Sequence, residues 1–179
     1  MKNFIKLLEK DIKEKHLSKH EFYQLWNEGK VRREALQGYA QQYYQFVSEF
    51  PRFVSRVHSN TPYEEDRLAI LENLNEEEDK NLPHAELWLR FAEGIGVKRG
   101  NIGAEALPET STMLKRLRKL ASRDFVEGSA ALLAYEAQIP DIAKLKMEGL
   151  KKHYSLKDGR ALEFFKVHSR VDIEHQKTW

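Results

Sequence analysis

The chain contains no cysteine. Disulfides, iron–sulfur clusters and thiolate zinc sites are therefore excluded, and any metal must be held by nitrogen and oxygen. Glycine and proline are scarce, 9 and 5 among 179 residues, too few for a strand-rich fold that turns often. The 41% hydrophobic and 32% charged content instead suits amphipathic helices joined by few turns. An excess of one charge is lacking too: 30 basic against 28 acidic side chains leave a formal +2, which creates no overall pull toward nucleic acid. No apolar run is long enough to span a bilayer. The opening MKNFIKLLEKDIKEK is charged throughout, unlike a signal peptide, so the cytoplasm is the expected compartment. A chain of this length buries about 70% of its unfolded surface, enough for one domain over 1–179.

What is there reads as helix after helix. NFIKLLEKDI is a short amphipathic segment, and Ser18 with Glu21 forms a capping-box signature opening HEFYQLWNEG, which stops at Gly29. A long helix starts near Arg32, with Leu36, Tyr39, Tyr43, Phe46 and Val47 on its apolar positions; Pro51 is expected to kink or end it before FVSRVH. Thr61-Pro62-Tyr63-Glu64 reads as an N-cap, a proline at the first helical position and a glutamate at the third. HAELWLRFAEG follows Pro83 and ends at Gly94 and Gly96, residues 97–108 read as a loop, and helices are predicted at about 110–123, 124–138, 140–152 and 158–177. The expectation is an all-α, single-domain bundle of seven to eight helices.

Polar residues stand out against this background. His168, Asp172 and His175 in FFKVHSRVDIEHQKTW are spaced i, i+4, i+7, a stripe of roughly 60° on one helix face. Two imidazoles and a carboxylate so placed can bind a transition metal, and Asp172/His175 repeats the carboxylate-x-x-His spacing of helical di-iron proteins. A solvated polar face is the competing explanation. Glu136 lies in GSAALLAYEAQIP, where an ionised carboxylate costs several kcal/mol unless paired or metal-bound; an exposed helix edge or an arginine partner is its alternative. Glu77 and His84 flank a junction at i and i+7, and Pro83 interrupts the helix that would align them. The six together carry three carboxylates, nearly balancing two divalent cations, and mixed imidazole and carboxylate ligands suit iron, or iron with manganese.

With these residues in place, the chain resembles the heme-oxygenase-like di-metal oxidases, similar in fold to thiaminase II and pyrroloquinoline-quinone synthase. Within them it looks most like the group of the chlamydial protein associating with death domains. The resemblance spans essentially the whole chain and is carried by HEFYQLWNEG, YAQQYY, FPRFVSRVHSN, HAELWLRFAEG, LPET, EGSAALLAYEAQIP and FFKVHSRVDIEH. It implies Glu77, His84, Glu136, His168, Asp172 and His175 as ligands of two transition-metal ions, Fe/Fe or Fe/Mn, working with O2 and an external reductant. It further implies synthesis of para-aminobenzoate for folate by oxidative sacrifice of the protein's own Tyr23, with Lys146 as amino donor and Tyr39 and Tyr135 as aromatic residues near the metals. Lys146 must then be buried, because an ammonium is no nucleophile. Tyr44 reads as plain aromatic core, and Tyr43 stays open between core and chemistry. Phe164 departs from the group, which has tyrosine there. Relatives continue with another helix after the last ligand helix, whereas this sequence stops at Trp179; a bundle without that helix would expose part of its core, and a homodimer is expected.

Four other readings compete. A di-metal oxidase of the same fold could act on a diffusible amino-acid or fatty-acid substrate. A thiaminase-like hydrolase would lack its cysteine nucleophile. A death-domain-binding interaction protein is suggested by the resemblance alone. Nucleic-acid binding through Lys115, Arg116, Arg118, Lys119 and Arg123 is outweighed by the near-neutral balance of the chain.

Overall fold

The computed structural model describes residues 2–103 and 105–169. Asp172 and His175 lie outside the described residues. Nothing but helix, turn and loop occurs among the described residues, in the order α1 (Lys2–Glu14), α2 (Glu21–Asn27), α3 (Arg33–Asn60), α4 (Glu64–Glu77), α5 (His84–Gly94), α6 (Pro108–Ala121), α7 (Phe125–Glu136), α8 (Ile139–His153) and α9 (Glu163–His168). The all-α architecture is as expected. Short 3-10 turns occur at Leu17–Lys19 and, within the stretch 97–108 read as a loop, at Arg99–Asn101.

The 28-residue α3 is the axis of the bundle and packs on α4, α5, α6 and α7. Pro51 does not break it. Proline removes one backbone N–H and crowds the preceding turn, at a cost of about 3 kcal/mol. Phe46, Phe50, Phe53 and Val54 around it are all buried, and each contributes roughly 1.5–3 kcal/mol, so packing wins. The apolar side chains form two clusters. One gathers Trp26, Trp88, Phe91, Leu150, Phe164 and Phe165 between α2, α5, α8 and α9; the other gathers Phe46, Phe53, Val57, Ile70 and Leu132 between α3, α4, α6 and α7. Tyr43 packs against both.

Two helix starts differ from expectation. Ser18 sits in the 3-10 turn, and the His20 imidazole accepts from the Phe22 N–H at 3.2 Å as the cap of α2. Thr61 does not open α4: its hydroxyl donates back to the Val57 carbonyl at 2.7 Å and so finishes α3. The residue before a proline is pushed into extended backbone, and α4 begins only at Glu64. No helix among the described residues is long and apolar enough to cross a membrane.

Candidate metal centre and phenol cluster

Glu77 is the last residue of α4 and His84 the first of α5, so they meet across a reversal of the chain and not along one helix. The Asp79 carboxylate pins that reversal by accepting from the N–H groups of Asn81 at 2.7 Å and Leu82 at 2.9 Å; these bonds hold its pKa below the usual carboxylate range. Glu77 Oε1 lies 3.0 Å from His84 Nδ1, an ion pair between two buried side chains. Burial disfavours the His84 imidazolium, but the Glu77 carboxylate, backed by Glu76 and Asp79, outweighs it and leaves the pKa raised.

His168 comes from α9. Its ring lies 4.5 Å from that of His84, and its Nδ1 is 2.8 Å from the Phe164 carbonyl. A carbonyl only accepts, so Nδ1 carries the proton and Nε2 keeps the lone pair that a metal needs. Phe164, the departure from tyrosine, stacks on this imidazole at 3.9 Å. Glu77, His84 and His168 are all buried, and each offers a ligand atom within 4.8 Å of the others.

Glu136, at the end of α7, is only 2% exposed and points inward. It accepts from Asn73 Nδ2 at 3.3 Å and walls, with Glu77, Tyr135 and His168, a cavity of about 10 Å³. Asn73 is a positioning residue the sequence reading missed. The available signal was its place one turn before Glu77, which puts it on the same face of α4. The described residues thus bring together Glu77, His84, Glu136 and His168. They fit a transition metal on two grounds: two imidazoles beside carboxylates form the nitrogen–oxygen donor set such ions take, and the buried Asn73 Oδ1 lacks a hydrogen-bond partner among the described residues.

A cluster of phenols adjoins this pocket. The hydroxyls of Tyr135 and Tyr43 are hydrogen-bonded to each other, and the Tyr43 ring lies 5.3 Å from that of Tyr39. Lys146, on α8, is 3% exposed. Its Nζ donates to the Tyr39 hydroxyl at 2.6 Å and stands 5.1 Å from the Tyr23 ring centroid, 5.0 Å from that of Tyr39 and 4.8 Å from that of Tyr43. No carboxylate among the described residues forms an ion pair with it. Desolvation lowers its pKa to about 7, as an amine nucleophile requires. Burial raises the Tyr23 phenol, with the Tyr39 hydroxyl partly opposing, and pushes Tyr39 well up, helped by Tyr23 and Tyr43. The Tyr23 and Tyr39 phenols are therefore protonated at neutral pH.

Comparison with known proteins agrees with this chemistry. The profile of the family described as iron-containing redox enzymes matches residues 37–179. The chain is 41% identical over 180 residues to the 4-aminobenzoate synthase of Nitrosomonas europaea, covering 94% of this chain and 73% of that relative. It is 37% identical over 177 residues to the 4-aminobenzoate synthase of Chlamydia pneumoniae, covering 98% and 79%. A more distant similarity, 25% over 167 residues, covers 89% of this chain and 66% of the pyrroloquinoline-quinone synthase of Acinetobacter baumannii.

Proposed function

Because this chain belongs to the heme-oxygenase-like iron-containing redox enzymes, we propose that it makes 4-aminobenzoate from its own Tyr23, with Lys146 as amino donor and two transition-metal ions, Fe/Fe or Fe/Mn, held by Glu77, His84, Glu136, His168, Asp172 and His175. Bound there, the metals supply the oxidising power drawn from O2, with an external reductant completing the electron count.

The observation that carries this reading is the position of Lys146: a buried amine hydrogen-bonded to Tyr39 and 5.1 Å from the Tyr23 ring, with no ion pair among the described residues. With its pKa lowered to about 7 by burial, the amine is available as free base near neutral pH and can attack an activated ring carbon. The same Nζ can take the phenolic proton that Tyr39 must lose if it is oxidised. Tyr135 and Tyr43 continue the row of phenols from Tyr39 to the wall of the Glu77–Glu136–His168 pocket, a route for proton and electron exchange between the two regions. Phe46, Val47, Phe50 and Phe164 add apolar surface to that wall.

Intact-protein mass spectrometry after anaerobic loading with Fe2+, with and without Mn2+, followed by reductant and O2, tests the proposal. The expected result is no more than one 4-aminobenzoate per chain, a mass loss mapped to the Tyr23 peptide, and no product from Tyr23→Phe. Intact Tyr23 alongside repeated turnover of an added substrate overturns it.

A further inference from the structure

A second, larger cavity of about 960 Å³ opens on the other side of the phenols. Its volume is in the range of small-molecule sites. We propose that it binds a planar aromatic monocarboxylate, with the ring against the tyrosines and the carboxylate at Arg116. The inference rests on the 4-aminobenzoate reading, since that product is such an acid.

Three helices contribute one face each. On α3 the face is Tyr39, Tyr43 and Phe46, and Tyr23 of α2 adds a further ring, so flat aromatic surface is what a ligand meets. On α7 it is Ala131 and Ala134 followed by Tyr135; the two alanines leave the open space, and Tyr135 also lines the small cavity beside Glu77 and His168. The two spaces therefore share one phenol as a partition. The Gln42 side chain accepts from the Leu107 N–H at 2.9 Å and donates to the Glu105 carbonyl at 3.4 Å, which ties the start of α6 to α3 and fixes the rim.

The third face, from α6, decides the polarity. Its charged lining residues are Glu109 and Arg116. Arg118 on the same helix pairs with Glu49 at 2.6 Å, whereas Arg116 makes no ion pair or hydrogen bond among the described residues. Glu109 lies seven residues earlier, about 10 Å along the helix axis. It repels an anion from its own end and leaves the guanidinium as the seat for the carboxylate. An arylamine at the far side of the ring then points toward Glu109.

Isothermal titration of the full chain, anaerobic and without reductant so that no turnover occurs, tests the proposal with 4-aminobenzoate, 4-hydroxybenzoate, aniline and decanoate as probes. Both benzoates are expected to bind saturably, and aniline and decanoate weakly. Arg116→Gln is expected to weaken benzoate binding about tenfold, Ala131→Phe to abolish it by filling the space, and Lys115→Gln, outside the lining, to leave it unchanged. Arg116 is exposed, so its variant remains informative even if Ala131→Phe fails to fold. Preference for 4-aminobenzoate marks an exit for the chain's own product, and preference for 4-hydroxybenzoate an entry for a diffusible acid. Absence of saturable benzoate binding, equal binding by Arg116→Gln, or decanoate or aniline bound as tightly overturns the proposal. The two readings fail separately: benzoate binding without product formation sinks the synthase, and product formation without benzoate binding sinks the cavity.

Discussion

Lys146 carries an uncommon burden for a lysine, since its ammonium has only aromatic faces and one phenolic oxygen to replace water. Cation–π contact offsets part of the lost hydration, and desolvation lowers the pKa to about 7. In the unfolded chain Lys146 titrates near 10.4. Between about pH 7 and 10 the unfolded state therefore binds more protons than the native one, and stability rises with pH. The charged and titratable groups facing Nζ are Tyr23 from α2 and Tyr39 and Tyr43 from α3. Tyr23 and Tyr39 have raised pKa values, so their opposing effect begins only above about pH 10. Between pH 7 and 9 the wild type is expected to gain about 2 kcal/mol relative to Lys146→Met, read from urea midpoints of the two proteins. At the metal pocket, protein loaded with iron and manganese is expected to hold about two ions per chain, as di-metal carboxylate bundles do, and His168→Ala to lose them; metal analysis checks this. Glu136 was legible in the sequence because it is the lone charge in an apolar run, and its burial followed. Asn73 was less so: its place one turn before Glu77 was the one signal, and nothing else in ENLNEEE shows that α7 covers that face.

At the scale of elements, the helices themselves were legible from apolar spacing, and their ends were less so. The His20 cap and the Thr61 hydroxyl depend on which backbone group lies within reach, a matter of turn geometry that residue type alone leaves open. The helix end expected at Pro51 does not occur, because the local rule was set against the burial of four apolar neighbours. Glu77 and His84 were legible as flanking a junction interrupted by Pro83, and the turn pinned by Asp79 is what brings them together. The α2–α8 contact holds Tyr23 over Lys146, and it depends on Gly149. A Cβ there would stand 2.8 Å from Trp26 Cδ1 and 3.2 Å from the Trp26 carbonyl oxygen, while the Trp26 indole N–H donates to the Lys146 carbonyl at 3.2 Å. Gly149→Ala is expected to force the two helices apart and cost about 1–3 kcal/mol, seen as a lower urea midpoint at unchanged slope, with a fall in product per chain.

For the whole molecule, the candidate metal residues come from α4, α5, α7 and α9, so an ion bound by them would tie together helices from both apolar clusters. Ligand that binds only the native state stabilises it by about 2.7 kcal/mol at 100 times Kd. For a protein of this size that corresponds to roughly 5–10 °C in Tm. Calorimetry is expected to show this rise on adding Fe2+ or Mn2+ and its reversal by a chelator, with Glu77→Ala showing neither. Trp88 stands at the seam of this arrangement, 4.7 Å from the ring of Phe164 that stacks on His168. A paramagnetic ion bound at that imidazole is expected to quench the indole, and the loss of tryptophan fluorescence as metal is added would gauge how fully the protein is loaded, readable without adding a dye or a label.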